Sequence, residues 1–203
     1  MNESESFILE NQVPQSEAAT NEPPSPPVQD ENYLVPGLST QTPPPAINEI
    51  LGTFRGEVLQ GTDGDDIIYG FQGRDTLIGG AGNDTLIGGL DGDVLIGGAG
   101  SDHFVYDSFG ERTDVIVDFN VYEDQLVLTN VFAELNYNGT DPVADGYLQF
   151  VPDELDTTKT RVQIDPDGSY GSTPFRTMAV LENVSPEELT IFDTELMVRN
   201  VII

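Results

Sequence analysis

Between Gly61 and Val105 the apolar and polar positions recur with a period of nine: GTDGDDIIY, GFQGRDTLI, GGAGNDTLI, GGLDGDVLI, GGAGSDHFV. Position eight is always large and apolar, as Ile68, Leu77, Leu86, Leu95 and Phe104. Position six is always Asp, at Asp66, Asp75, Asp84, Asp93 and Asp102, and position one is always Gly. The shared template is G-G-x-G-x-D-x-U-x, with U apolar. Its first six residues predict a turn, since glycine permits positive φ and close backbone approach. Its last three predict a short strand with position eight pointing into a core. A short fixed period of this kind signals a solenoid, in which each unit buries its apolar face only against its neighbours. One unit is half a coil, so consecutive turns lie on opposite sides and same-side neighbours are 18 residues apart. Position nine is apolar too (Tyr69, Ile78, Ile87, Ile96, Val105). A simple two-sheet roll turns these residues outward as two stripes, and the carboxy-terminal strands are expected to cover one of them.

The pattern weakens on both sides. Ile50–Gln60 reads as a degenerate first coil, with Gly52 at position one, Glu57 at position six, Leu59 at position eight and Arg55 in a glycine's place. Terminal repeats are expected to be atypical caps. After Val105, TDVIVDF (113–119) and QLVLT (125–129) alternate as strands do, joined by a polar turn. Residues 131–145 show no clear period. Strands are predicted at YLQFV (147–151), TRVQID (160–165), 175–181 and the closing LMVRNVII, with a turn-rich link at 165–174. Ser185-Pro186-Glu187-Glu188 predicts one short helix over 186–190, with Ser as N-cap, Pro first and Glu three after the cap. Residues 1–50 hold nine of the 14 prolines and no Lys or Arg. Such a segment buries too little apolar surface to offset its ordering entropy, so a disordered acidic tail is expected there. The expected division is a tail over 1–50, the roll with its cap over 51–112 and a β-rich carboxy-terminal domain over 113–203.

Charge narrows the function. Thirty-six acidic residues against seven basic ones give a net charge of −29. That balance opposes nucleic acid and anionic membrane surfaces and suits a divalent cation. There is no Cys, which removes disulfides and thiolate metal sites, and the one His, His103, sits at the outward position seven. No apolar run approaches the ~18–20 residues of a membrane span. The sequence MNESESFILENQ has neither a positive n-region nor an apolar h-region, so export is expected to use a route without a cleaved Sec leader. No catalytic constellation is present, and the chain is not expected to be an enzyme. Asp165-Pro166-Asp167-Gly168 begins like an EF-hand loop, but its twelfth place holds Arg176 rather than Glu, so a tight turn is expected.

The position-six carboxylates are hard oxygen donors of the kind Ca²⁺ prefers. The five tandem copies resemble the repeats-in-toxin (RTX) family of hemolysin-type calcium-binding repeats, whose fold is the parallel β-roll. The resemblance implies an all-β chain: a parallel β-roll continued by a β-rich carboxy-terminal domain. It also implies an ion between each pair of same-side turns, held by both position-six carboxylates. The earlier turn would add its position-two and position-four carbonyls, and the later turn those of positions one and three. Carried onto this sequence, the first site joins Thr62, Gly64 and Asp66 to Gly79, Ala81 and Asp84. The second joins Gly80, Gly82 and Asp84 to Gly97, Ala99 and Asp102. On the other side, Phe71, Gly73 and Asp75 meet Gly88, Leu90 and Asp93. A fourth site would follow Asp93, with Asp114 or Asp118 as its partner, so about three or four calcium ions are expected. In GGLDGDVLI, Asp91 stands where Gly is usual; Asp tolerates left-handed backbone, so the turn should survive with altered coordination.

One large buried side chain per nine residues cannot offset the ordering of so much backbone, so calcium is expected to contribute folding energy. The stretch FVYDSFGERTDVIVDFNVYEDQLVL, with its D-x-I-x-D-F, resembles the junction after the roll in serralysin-type proteases and RTX adhesins. There it leads into a type I secretion target region. The resemblance implies a secreted, extracellular or cell-surface calcium-binding protein whose partners are calcium and the type I machinery. The alternative is an extracellular matrix or cell-surface interaction protein that uses the calcium-folded roll as scaffold. A toxin-like effector is the third reading, and no membrane-active apolar segment supports it.

Overall fold

A computed structural model describes residues 47–168, 171–190 and 201–202. The nine-residue pattern becomes a ladder of short parallel strands. Among the described residues, β1 (Asn48–Leu51), β3 (Asp66–Tyr69), β5 (Thr85–Ile87), β7 (His103–Val105), β9 (Gln125–Val127) and β13 (Val201–Ile202) form one sheet, in that order. The second sheet begins with β2 (Val58–Gln60), β4 (Thr76–Ala81), β6 (Val94–Ala99) and β8 (Asp114–Ile116). Chain order alternates between the sheets, as half-coils require.

Register follows position eight. Ile50, Ile68 and Leu86 align rung by rung in the first sheet, and Leu59, Leu77 and Leu95 in the second. Past the repeats Leu95 aligns with Ile116 and Phe104 with Leu126. The coil there is longer, but the apolar rung is kept. Ile68, Leu77, Leu86, Leu95, Phe104, Ile116 and Leu126 are all buried in one core, because strand alternation places every second residue inward. Position nine is not open: Tyr69, Ile78, Ile96 and Val105 are half-buried and Ile87 is buried.

The ladder starts earlier than the coil expected at Ile50. β1 opens at Asn48, within the stretch assigned to the tail, and Asn48 Nδ2 donates to Asp66 Oδ1 at 2.7 Å. Among the described residues the first rung is an edge of both sheets, and Leu51, Phe54 and Val58 are exposed there. The remainder of the tail, 1–46, lies outside the described residues, as does most of the closing strand expected at the carboxy-terminus.

The carboxy-terminal part extends the second sheet. β12 (Arg176–Leu181) pairs parallel with β8, and β11 (Thr160–Ile164) and β10 (Leu148–Pro152) add antiparallel. A register shift at Val162/Gln163 lets consecutive Met178 and Ala179 both be buried, which strict alternation would forbid. The strand expected through Thr129 stops at Val127, and α1 (Thr129–Glu134) follows. Leu128, Val131, Phe132 and Leu135 have helical spacing, but the segment is too short for the period to stand out. The helix expected over 186–190 is present as α2 (Pro186–Thr190), with the Ser185 N–H bonded to Glu188 Oε2 at 2.7 Å. No helix among the described residues is long and apolar enough to cross a membrane.

Candidate metal sites

The turns fold through two kinks each. Position two has positive φ at Gly80, Gly89 and Gly98, and position four at Gly73, Gly82 and Gly100. Two side-chain-bearing residues accept the same conformation, Phe71 (φ 71°) and Asp91 (φ 76°). The turn at Asp91 therefore survives, as expected. The first repeat differs, since neither Thr62 nor Gly64 has positive φ.

These kinks aim carbonyl oxygens at the gap between same-side turns. A Cβ built on Gly80, Gly89 or Gly98 would lie 2.1, 2.3 or 2.1 Å from the oxygens of Thr62, Phe71 and Gly80, the position-two residues of the preceding turns. The position-four oxygens of Gly64 and Gly82 lie 2.9 and 1.9 Å from the corresponding points on Gly82 and Gly100. From the other side, the position-one oxygens of Gly79, Gly97 and Gly88 reach 2.0, 2.5 and 2.5 Å from the Cβ points of Gly61, Gly79 and Gly70. Ala99 O also faces back, accepting the Gly82 N–H at 2.9 Å. Ala81 and Leu90 are tied to their preceding turns through their N–H groups, which donate to Thr62 O and Phe71 O. Gly73 packs against the Arg55–Gly56 peptide.

The position-six carboxylates form two ladders. Asp84 Oδ1 accepts the Asp66 N–H at 2.8 Å, and Asp102 Oδ1 accepts the Asp84 N–H at 2.9 Å. On the other side Asp75 Oδ1 accepts from Glu57 at 2.7 Å, and Asp93 Oδ1 accepts from Asp75 at 2.8 Å. The second carboxylate oxygens of Asp75, Asp84, Asp93 and Asp102 are buried without a hydrogen-bond partner. They point at the position-one glycines, 2.3 Å from the Cβ point of Gly79 for Asp84 and 2.3 Å from that of Gly97 for Asp102. A side chain at position one would fill this space. Asp66 alone differs, because its Oδ2 accepts both the N–H and the hydroxyl of Thr62. Among the described residues no three acidic or histidine side chains converge, so a cation here would rest on paired carboxylates and carbonyls. Buried carboxylate oxygens with no hydrogen-bond donor are costly unless a cation joins them. An oxygen-only donor set fits Ca²⁺.

Burial leaves these groups reluctant to ionise. Desolvation, opposed by the backbone N–H each accepts and reinforced by neighbouring carboxylates, raises Asp84 and Asp93 to about 6. Asp75 and Asp102 are raised by the same causes. A carboxyl whose folded pKa exceeds its unfolded value near 3.8 stabilises the fold fully below that value, and the contribution is lost as pH rises through the folded pKa. Calcium-free protein is therefore expected to be more stable at pH 5 than at pH 8. Circular dichroism in chelator at both pH values checks this through the residual strand signal, and a stronger signal at pH 8 would contradict it.

Both ladders outrun the repeats. Asp114 Oδ1 accepts the Asp93 N–H at 2.8 Å, and Asp124 Oδ1 accepts the Asp102 N–H at 3.0 Å. Of the two residues expected to follow Asp93, the structure thus sets Asp114 beside it. Asp118 serves the opposite side, accepting from Gly97 and Gly98. Beside Asp114 lie two residues that the repeat pattern does not reveal. Glu111 is buried with Oε2 unpartnered, and desolvation raises it to about 7. The Tyr106 hydroxyl lies against Asp114 without hydrogen-bond geometry, and Asp114 itself is raised by burial to about 8. The continuing ladder had a readable signal: Asp114-Val115-Ile116-Val117 and Asp124-Gln125-Leu126-Val127 keep the D-x-U-x tetrad after the glycines are lost. Asp165–Gly168 makes a turn, with Asp167 Oδ2 accepting from Ser172 and Thr173.

The family model for the RTX calcium-binding nonapeptide repeat (4 copies) matches residues 51–86 and 69–104. No curated protein sequence matches the chain. Among solved structures, the AlgE6R3 subunit of the mannuronan C5-epimerase from Azotobacter vinelandii is similar, with 25% identity and a TM-score of 0.52. The match covers 78% of this chain and 84% of that one. The AlgE6R2 subunit of the same enzyme gives 24% identity and a TM-score of 0.53, over 76% and 91% of the two chains. The chain thus carries RTX calcium-binding repeats on a parallel β-roll.

Proposed function

We propose that this protein is a secreted calcium-binding protein whose roll folds when ions enter between same-side turns. One observation carries the reading: four carboxylate oxygens, on Asp75, Asp84, Asp93 and Asp102, are buried without a hydrogen-bond partner, each beside the position-one glycine of its own turn. Three ions are assigned inside the repeats. Asp66 and Asp84 hold the first with the carbonyls of Thr62, Gly64, Gly79 and Ala81. Asp84 and Asp102 hold the second with those of Gly80, Gly82, Gly97 and Ala99. Asp75 and Asp93 hold the third with those of Phe71, Gly73, Gly88 and Leu90. A fourth ion between Asp93 and Asp114 closes the second ladder.

Extracellular calcium modules bind at ~10⁻⁴–10⁻³ M. With such affinity the roll is unfolded where calcium is scarce and folded outside the cell, a switch driven by mass action. Export through a type I system agrees with the repeat type and with the strands that extend the roll beyond residue 113. The protein binds rather than catalyses in this reading, with the roll as a structural element.

Circular dichroism during a calcium titration tests the proposal. Strand signal is expected to rise cooperatively in the high-micromolar to millimolar range, roughly as for other extracellular modules, and magnesium should not substitute, because it demands a smaller octahedral shell. A chain equally folded in chelator and in calcium would sink it.

A further inference from the structure

The fourth repeat, GGLDGDVLI, reverses the usual order of glycine and side chain. Asp91 takes position four, and Gly92 takes position five. One coil earlier, position five is Arg74. Past Gly92 the chain presents Arg112 and Thr113: a Cβ on Gly92 would meet Thr113 O at 2.7 Å and Arg112 Cβ at 4.0 Å. The missing side chain leaves an open cleft of about 480 Å³, lined by Arg74, Gly92, Arg112, Thr113, Arg176 and Thr177. Three of the seven basic residues of a chain with net charge −29 thus meet at one place.

We propose that this cleft binds the carboxylate groups of an acidic saccharide. The guanidinium of Arg74 is exposed and makes no ion pair or hydrogen bond among the described residues. Among the described residues Arg112 has only a long, exposed pair with Asp91 at 3.6 Å. Arg176 is fixed, donating to the carbonyls of Phe109, Gly110 and Glu111 and lying over the Phe109 ring. One wall is therefore rigid and the other two cations are available. Guanidinium groups recognise carboxylates through paired N–H donors. The threonines complement them. Thr177 Oγ1 accepts from Gln163 Nε2 at 3.0 Å, which leaves its own O–H free to donate. Thr113 Oγ1 donates to Thr177 O at 2.8 Å and keeps lone pairs for a ligand hydroxyl.

The surroundings select the ligand. The cleft has no large apolar side chain to anchor a peptide. It lies over β12, β8, β6 and β4, which are interior strands of their sheet, so no free edge is offered for strand addition. A densely charged polymer such as nucleic acid is repelled by the rest of the surface. A sugar chain with sparse carboxylates and many hydroxyls meets the local cations at a smaller repulsive cost.

The test is titration calorimetry of the full chain in saturating calcium with trigalacturonate, a neutral trisaccharide, an acidic hexapeptide and inorganic phosphate. Saturable binding of trigalacturonate alone is expected. Arg74→Gln should weaken it by about tenfold, the equivalent of about 1.4 kcal/mol. Arg74 lies outside the proposed calcium ligands, so the variant should fold at the same calcium concentration as the parent. Circular dichroism recorded on each sample separates loss of folding from loss of binding. Absence of trigalacturonate binding to folded protein overturns the proposal. So does equal binding of phosphate or hexapeptide, or indifference to Arg74→Gln.

Discussion

Replacing Asp84 by alanine is expected to raise the calcium concentration needed to fold the roll by tenfold or more. Asp84 is the middle rung of the first ladder. Its Oδ1 accepts the buried Asp66 N–H at 2.8 Å, and its Oδ2 is buried without a partner. Truncation removes a carboxylate from two proposed ions and orphans a backbone donor. A hydrogen bond to a charged group contributes about 1.5–3 kcal/mol, which corresponds to roughly a ten- to hundredfold shift. Asp75→Ala should shift the midpoint less. Asp75 accepts a half-buried N–H, from Glu57, and belongs to one proposed ion rather than two. Paired calcium titrations of the two variants decide the matter, and equal shifts would remove the argument for a shared ligand.

Phe104→Ala is expected to cost about 3–5 kcal/mol in calcium-saturated protein. Phe104 is fully buried, its ring centroid is 5.8 Å from that of Phe119, and its strand lies between β5 and β9. The cavity would open where repeat packing passes to the carboxy-terminal strands. Neither side can collapse into it without breaking parallel register. Ile78→Ala, one position outside the core in its own rung, should cost less than half as much. Urea denaturation at saturating calcium measures both, and similar losses would mean that position eight is not the core.

The two variants probe different layers of legibility. The Asp84 ladder could be foreseen from spacing, because same-side partners 18 residues apart follow from half-coils of nine; its place in two proposed ions is what the resemblance implies. The Phe104 effect could be foreseen in kind, since position eight repeats without exception. The partner of Phe104 could not, because Phe119 lies beyond the last repeat and meets it only after the coil lengthens. Thr62 is similar. The resemblance implies its carbonyl at the first site, but its hydroxyl already occupies Asp66 Oδ2, which makes that end of the ladder unlike the others. Glu111 and Tyr106 have no repeat position at all. They reach Asp114 because the loop after Val105 folds back beneath Arg176.

The nonapeptide by itself determined the fold class, the strand register and the core positions. It could do so because every interaction in a solenoid is with the next coil, at a fixed distance along the chain. Tertiary structure decided what lies outside that local rule. It carried the ladders on to Asp114 and Asp124, sent Asp118 to the opposite side and turned the Asp91-Gly92 exchange into an arginine-lined cleft. Those outcomes depend on loops of irregular length and on packing between distant segments, for which no repeating distance exists to be read.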